Sequence, residues 1–284
     1  MKVLVVGLGV QGNKRIKILN KKNFYASVDK KNKKATFKNI KDAPLNNYDS
    51  VFICTPDSEK LKIINYFLKN KKHILVEKPI NIGLNKNIKQ IEKIANKSKL
   101  IVYTAYNHRF EPHFKNIKKL IEKKFLGKIY YCSIFYVNGT AKLVKQSLWR
   151  DKGSGVINDL GTHLVDIINF LFKKKISYKI VTRNNFENNS PDHAMLVSRT
   201  NYPLIKLEMS MCRWKNNLDC EIIGSKGSLI MKSLCKWGPS ILIIQKRVFP
   251  SGTPKEKVIK IIKKDPTWSL EHKHFEKLIK FKKK

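Results

Sequence analysis

The first dozen residues constrain this chain most. An uninterrupted apolar run, Val3-Leu4-Val5-Val6, passes directly into Gly7-Leu8-Gly9-Val10-Gln11-Gly12. Such a run reads as a strand buried on both faces, which belongs in a parallel sheet covered by helices. The glycine spacing then shapes the way out of the strand. Gly7 permits a tight turn, Gly9 lets backbone approach a pyrophosphate, and Gly12 lets the next helix pack on the strand. The whole loop, with Leu8, Val10 and Gln11 between the glycines, brings a helix N-terminus to face the phosphates. A dinucleotide site over residues 7–12 is the expectation.

The next predicted strand, Phe24 to Val28, ends at Asp29. An acid at that place accepts hydrogen bonds from the adenosine ribose hydroxyls and repels a 2′-phosphate, which favours NAD. Lys30 and Lys31 beside it are able to neutralise such a phosphate, so NADP stays open. Further short apolar runs follow at Val51 to Cys54, His73 to Val76 and Leu100 to Ala105. Helical stripes separate the later ones: Leu61, Ile64 and Leu68, then Ile88, Ile91 and Ala95. The pattern predicts an α/β fold with an N-terminal Rossmann domain, a doubly wound parallel sheet over residues 1–108.

After Arg109 the pattern changes. A helix over Glu111 to Lys124 precedes a long β-rich run at Lys128 to Val137, and a second helix covers Gly155 to Phe172. Beyond it lie short β-branched runs near 176–182, 194–199, 204–213, 220–223, 228–231 and 241–248. Hairpin-like breaks at Asn201-Tyr202-Pro203 and Gly224-Ser225-Lys226-Gly227 separate some of them. Residues 109–284 are therefore expected to form an α+β domain with a large, mainly antiparallel sheet. The uncovered face of that sheet predicts a homodimer or homotetramer.

A net charge of +38 invites a nucleic-acid reading. Lysine is nevertheless spread over every segment, arginine is scarce, and no RNA-recognition, KH or zinc-finger pattern accompanies it, so no specific nucleic-acid partner is expected. Five cysteines without C-x-x-C spacing suggest neither disulfides nor a metal site. No basic and apolar leader precedes Val3 and no apolar run approaches spanning length. A soluble, cytoplasmic protein away from membranes is the expectation.

Glu77-Lys78-Pro79 stands at the end of the fourth predicted strand, where open parallel sheets bind ligands. A lysine there is able to hydrogen-bond a substrate hydroxyl and stabilise a developing alkoxide. Asp159 and His163, four residues apart with Asp166 a turn further on, flank an apolar stripe of Val156, Leu160, Leu164, Ile167 and Leu171. A carboxylate beside an imidazole holds its orientation and tautomer. A helix-capping aspartate and a structurally satisfied histidine explain the spacing equally well.

Taken with Cys54-Thr55-Pro56, Asn107-His108-Arg109-Phe110, Ile223-Gly224-Ser225-Lys226-Gly227-Ser228 and the run Gly153-Ser154-Gly155-Val156-Ile157-Asn158-Asp159-Leu160-Gly161-Thr162-His163, these motifs resemble the Gfo/Idh/MocA family. The resemblance runs from Met1 to about Phe275. It implies an NAD(P)-dependent oxidoreductase moving hydride between nicotinamide and a secondary alcohol of a sugar, nucleotide sugar or polyol. It implies that Thr55, Pro56, Glu77, Lys78 and Asn107 join the glycine loop in holding the cofactor. Lys78, Asp159 and His163 become the catalytic residues, with either His163 or Lys78 as proton acceptor, and Trp149 and Arg150 join them in contacting substrate. The sequence departs from the family in three respects, one of them a substrate domain somewhat short for the family. Only Lys30 to Lys34 separates Asp29 from the run at Ala35, where the family has a crossover helix, and Lys60 stands where the family often has histidine. An inactive dinucleotide-binding scaffold of the same fold is the competing expectation.

Overall fold

The computed structural model describes residues 1–80, 85–147, 149–200 and 202–282. The chain divides into two compact units, Met1–Tyr106 with the C-terminal stretch from Trp268, and Asn107–Thr267.

The first unit runs β1 (Val3–Val6), α1 (Val10–Ile18), β2 (Phe24–Val28), β3 (Ser50–Ile53), α2 (Asp57–Lys69), β4 (His73–Glu77), α3 (Asn85–Lys97) and β5 (Val102–Ala105). All five strands are parallel, in the order β2-β1-β3-β4-β5. Alternate side chains of each strand feed two cores, as parallel sheets require. Leu4, Val51, Ile53, Ile74 and Val76 pack with Ile64, Phe67 and Leu68 of α2 and Ile91 of α3. On the opposite face Val3, Val5, Phe52 and Leu75 pack with Leu19, which follows α1. Between β2 and β3 there is one isolated bridge, Val28 to Phe37, and a short 3-10 turn at Leu45–Asn47, with no α-helix.

The second unit contains α4 (Pro112–Glu122), β6 (Ile129–Val137), α5 (Ala141–Lys145), α6 (Thr162–Phe172), β7 (Tyr178–Asn184), β8 (His193–Ser198), β9 (Leu204–Ser210), β10 (Asn217–Gly224), β11 (Gly227–Lys232), β12 (Ser240–Lys246) and β13 (Glu256–Ile261). Its eight strands lie in the order β13-β12-β11-β10-β6-β9-β8-β7. Only the β6–β9 pair is parallel. One face packs Cys132, Ile134, Leu207, Met209, Ile222 and Leu229 against Phe114 and Ile117 of α4 and Leu164, Ile167 and Leu171 of α6. The other face carries half-buried rows read from the register, such as Lys206, Ser133, Glu221, Ile230 and Ile243.

The chain ends in α7 (Thr267–Lys282). Residues 109–284 were expected to stay together, yet from Trp268 onward the chain groups with the first unit. The sheet supplies the reason. Its second face needs more cover than α1 gives, and α7 brings Phe275, fully buried, and Ile279. Each such side chain contributes about 1.5–3 kcal/mol on burial.

Two further elements differ from expectation. β13 reads in sequence as Glu256-Lys257-Val258-Ile259-Lys260-Ile261. As an edge strand it is mostly exposed and lacks the alternation that marks a half-buried one. The expected helix over Gly155 to Phe172 is instead a wide π-turn, Ile157–Gly161, leading into α6. Gly161 packs against Met209, whose Sδ lies 2.8 Å from where a Cβ would stand. The expected Gly224 to Gly227 turn joins β10 to β11, whereas Asn201 of the other expected break lies outside the described residues.

Candidate functional site

Each glycine of the first loop has its own environment. Gly7 has φ +94°, and a Cβ there would stand 2.7 Å from the Cys54 carbonyl oxygen at the end of β3. A Cβ on Gly12 would stand 1.9 Å from the Gly7 carbonyl oxygen, so α1 packs against the turn through this glycine. Gly9 is different: a Cβ there meets nothing within 4 Å. Protein packing therefore leaves Gly9 unexplained. It is the N-cap of α1 and makes no side-chain cap, so the α1 amides of Val10, Gln11 and Gly12 are offered to an anion.

Asp29 closes this loop. Its Oδ2 accepts the Leu8 N–H at 2.7 Å, and its Oδ1 accepts the N–H groups of Lys31 and Asn32 at 2.9 and 2.8 Å. Partial burial pushes the carboxyl upward, but these three backbone donors outweigh it and hold Asp29 below the ordinary carboxylate value. Of the roughly four lone-pair positions of a carboxylate, about one on Oδ2 is left for a ribose hydroxyl. Beyond β3, Thr55 Oγ1 is buried with no hydrogen-bond partner among the described residues, and Pro56 caps α2. Open space over Gly9, uncapped amides, a buried unpaired hydroxyl and a charged ribose acceptor fit a dinucleotide.

At the end of β4, Glu77 is committed within the protein. Its Oε1 accepts Arg15 Nε at 2.6 Å, while Arg15 Nη2 reaches Glu271 of α7 at 2.7 Å. Arg15 is 1% exposed, and its guanidinium lies 4.4 Å from the Trp268 ring. Burial alone would lower its pKa; the two carboxylates outweigh that and raise it. Glu77 thus braces the strand end from which half-buried Lys78 emerges, through a cis peptide to Pro79. Lys60, 2% exposed, donates to Asp57 Oδ1 and the Pro79 carbonyl, both at 2.6 Å. Its burial lowers its pKa despite the pull of Asp57. Neither Arg15 nor Lys60 was foreseen in these roles. The one signal was the single arginine of the first hundred residues, in a stretch that otherwise uses lysine.

In the second unit the 3-10 turn Asn107–Phe110, the π-turn and α6 supply the candidates. Asn107 Nδ2 donates to Thr267 Oγ1 at 2.7 Å, which leaves its carbonyl oxygen for a ligand. Arg109 grips Asp166 through two nitrogens, Nε to Oδ2 at 2.9 Å and Nη2 to Oδ1. Burial still raises the Asp166 carboxyl above its ordinary value, with Arg109 opposing. Asp159, on the π-turn, accepts Arg150 Nη2 at 2.7 Å, whereas Trp149 next to it is 63% exposed. His163, 6% exposed, stacks on His108 with ring centroids 4.0 Å apart. Tyr136 of β6 stands edge-on to both rings. Burial, reinforced by the Asp159 charge, raises the Tyr136 phenol, so it stays protonated. Lys236 Nζ lies 3.1 Å from His108 Nε2. Tyr136 and Lys236 are far from His163 in the chain, and the sequence carried no sign of them. A cleft of about 480 Å³ near Tyr130, Ile223 and Arg247 contains none of these residues.

No helix among the described residues is long and apolar enough to cross a membrane. Comparison with known proteins fits both units. Residues 1–106 match the oxidoreductase family with NAD-binding Rossmann fold, and residues 114–230 match the GFO/IDH/MocA C-terminal domain. Inositol 2-dehydrogenase of Rhizobium meliloti (strain 1021) is 28% identical over 43% of this chain and 36% of its own length. Glucose-6-phosphate 3-dehydrogenase of Bacillus subtilis (strain 168) is 27% identical over 49% of this chain and 40% of its own. The matched part is thus well under half of either relative. Among solved structures, levoglucosan dehydrogenase in complex with NADH and levoglucosan superposes with TM-score 0.83 at 16% identity, covering 100% of this chain and 90% of that one. An inositol dehydrogenase homolog from Azotobacter vinelandii, complexed with NADH and myo-inositol, gives 0.80 at 15% identity, covering 99% and 86%. These two structures share the fold. Matched in order over both of its units, the chain belongs to the Gfo/Idh/MocA oxidoreductase family.

Proposed function

We propose that this chain is a dehydrogenase acting on a secondary alcohol of a sugar, nucleotide sugar or polyol, with NAD as cofactor and NADP second to it. The observation that carries this reading is Gly9, a glycine at a helix N-terminus that packing does not require. When bound, NAD supplies the acceptor for the hydride leaving the alcohol carbon. Gly7, Leu8, Gly9, Val10, Gln11 and Gly12 hold its pyrophosphate, Asp29 its ribose, and Thr55, Pro56 and Asn107 complete the pocket. Glu77 acts through Arg15 to fix the end of β4. Lys78 hydrogen-bonds the substrate oxygen, and His163 takes the hydroxyl proton, because an imidazole titrates near neutrality and an ammonium does not. Asp159, held by Arg150, orients the substrate, and Trp149 offers a face for a sugar ring.

A cofactor-reduction screen over sugars, inositols and nucleotide sugars, with NAD and NADP in parallel, tests the proposal. Turnover with at least one polyol, abolished in His163→Ala, is expected. Near-normal turnover in both His163→Ala and Lys78→Ala would remove the scheme. The β2–β3 segment, which lacks a crossover helix, favours one competing reading, a dinucleotide-binding scaffold. Tight NAD binding with no turnover across the screen would support it.

The same reading makes the protein a homodimer or homotetramer through the open face of the eight-stranded sheet. Apolar residues of that face, Tyr131, Phe135, Ile230 and Ile243, are only half-buried. Light scattering at micromolar concentration should show the oligomer, and a monomer would contradict it. Five unpaired cysteines suit a reducing cytoplasm, and the scattered charge suits no specific nucleic acid.

A further inference from the structure

Arg150 and Asp159 carry an inference that rests on their reading as the pair that orients substrate. Arg150 Nη2 reaches Asp159 Oδ2 at 2.7 Å, yet the segment that leads from one residue towards the other has little core of its own. Trp149, Lys152, Gly153 and Ser154 are exposed, and only Asp151 and Gly155 of this stretch are buried. Both of these meet the same three residues, Asn189-Ser190-Pro191, in the loop that joins β7 to β8.

Asp151, 8% exposed, accepts four hydrogen bonds from that loop. Its Oδ1 takes the Ser190 N–H at 2.7 Å and the Ser190 hydroxyl at 2.8 Å, and its Oδ2 takes the Asn189 N–H at 3.1 Å and the Asn189 side-chain amide at 3.0 Å. These donors fill the roughly four lone-pair positions of a carboxylate. The N–H groups of Arg150 and Asp151 both donate to the Ser147 carbonyl, at 3.0 and 3.1 Å, so the carboxylate and the Arg150 backbone move as one turn.

Gly155 has φ +47°, and a Cβ there would stand 2.1 Å from the Pro191 carbonyl oxygen and 2.9 Å from Ser190 Oγ. The Pro191 carbonyl accepts the Val156 N–H at 2.7 Å, and the Gly155 carbonyl accepts the Asp159 N–H at 3.1 Å. The loop is fixed in its turn by Asp192, fully buried, whose carboxylate accepts the N–H groups of Phe186, Glu187 and Asn188 at 3.0, 2.6 and 3.0 Å. The Asp192 carbonyl accepts the Met211 N–H at 2.7 Å, which ties the loop to the chain leaving β9.

We propose that the β7–β8 loop is a positioning element of the substrate site: Asn189 and Ser190 place Arg150 through Asp151, and Pro191 places Asp159 through Gly155, so that the pair meets substrate at a fixed spacing. Asp151 is a positioning residue, acting through Arg150.

Hydrogen exchange of the full chain without substrate reads the platform. In Asp151→Ala, exchange over residues 150–159 and 186–191 should speed up about tenfold or more, while β10 to β12 keep wild-type rates. Unchanged rates over both stretches would overturn the proposal. Because no turnover is measured, that failure is separable from failure of the dehydrogenase reading, which the cofactor-reduction screen reports. With a substrate from that screen, Asp151→Ala and Arg150→Met should each raise KM about tenfold and keep kcat within about threefold. Losses carried by one route overlap, so the double variant should stay within about threefold of the worse single one, far from the roughly hundredfold of independent effects. Losses that multiply in full would show that Asp151 serves the fold and not Arg150. Ser190→Ala removes a single donor and carries the same test should Asp151→Ala fail to fold: its KM should rise about threefold, with no comparable rise on the Arg150→Met background. A wild-type KM in Ser190→Ala would refute the proposal.

Discussion

The two units brace their candidate residues in opposite ways. In the first, one arginine at 1% exposure ties Glu77 of β4 to Glu271 of α7. In the second, the carboxylates near His163 are held by arginines that are 28% and 31% exposed, and the imidazole itself is held by ring stacking. A buried ion cluster tolerates no loss of a member, because the partners left behind have neither water nor counter-charge. A part-exposed pair tolerates it, because water takes over. The first unit is thus built to fix a backbone, the end of β4 against the last turn of α1. The second is built to place side chains.

Breaking the buried cluster is the harshest test of that contrast. Arg15→Met leaves Glu77 and Glu271 without their cation and should destabilise the first unit by about 3–5 kcal/mol in urea denaturation. It should also weaken NADH binding, since α1 and the end of β4 lose their common anchor. A variant within about 1 kcal/mol of wild type would show that the cluster does not brace the unit.

The glycine loop sharpens the same contrast on a smaller scale. Gly12→Ala places a Cβ 1.9 Å from a backbone oxygen and should cost about 1–3 kcal/mol of stability together with NADH affinity. Gly9→Ala meets nothing within 4 Å, so stability should stay within about 0.5 kcal/mol of wild type. NADH affinity, read by fluorescence titration, should nevertheless drop by about tenfold or more through steric conflict with the pyrophosphate. Wild-type affinity in Gly9→Ala would mean that the loop holds no dinucleotide.

The same difference decides what was legible in the sequence. The first unit's loop is contiguous: strand, glycine turn and helix follow one another, so spacing alone located Gly7, Gly9, Gly12 and Asp29. Residues that meet across the fold were not legible. Arg15, Glu77 and Glu271 are separated by most of the chain, and α7 looked like the tail of the second domain because no local pattern says which sheet a helix will cover. In the second unit the buried stripe of Val156, Leu160, Leu164, Ile167 and Leu171 is as the spacing predicted. The π-turn was not, because five residues are too few to separate a wide turn from a 3.6-residue one. Lys236 was hidden among many lysines that only solvate the surface.

Arg150 offers a milder perturbation on the second unit's side. Its ion pair with Asp159 joins side chains 31% and 28% exposed, so Arg150→Met should cost at most about 1 kcal/mol of stability. The substrate KM should rise while kcat changes less, because Asp159 loses its orienting partner and water replaces it. A stability loss as large as that of Arg15→Met would erase the contrast between the two units.

Asp29 gives the smallest effect and the one with a definite sign in pH. Three backbone N–H groups, acting against partial burial, depress its pKa in the folded state. A depressed carboxyl contributes stability that is fully present above its unfolded value, about 3.9, and is lost as pH falls through the folded value. Between pH 5 and 2 the urea midpoint of the wild type should therefore fall more steeply than that of Asp29→Asn, and the two slopes should coincide above pH 5. An amide keeps one acceptor oxygen, so at neutral pH the variant should retain the loop while losing part of its discrimination against NADP, whose 2′-phosphate the charge repels. Identical acid slopes in the two proteins would show that Asp29 is solvated rather than tied to Leu8, Lys31 and Asn32, and the loop would then owe its shape to the glycines alone.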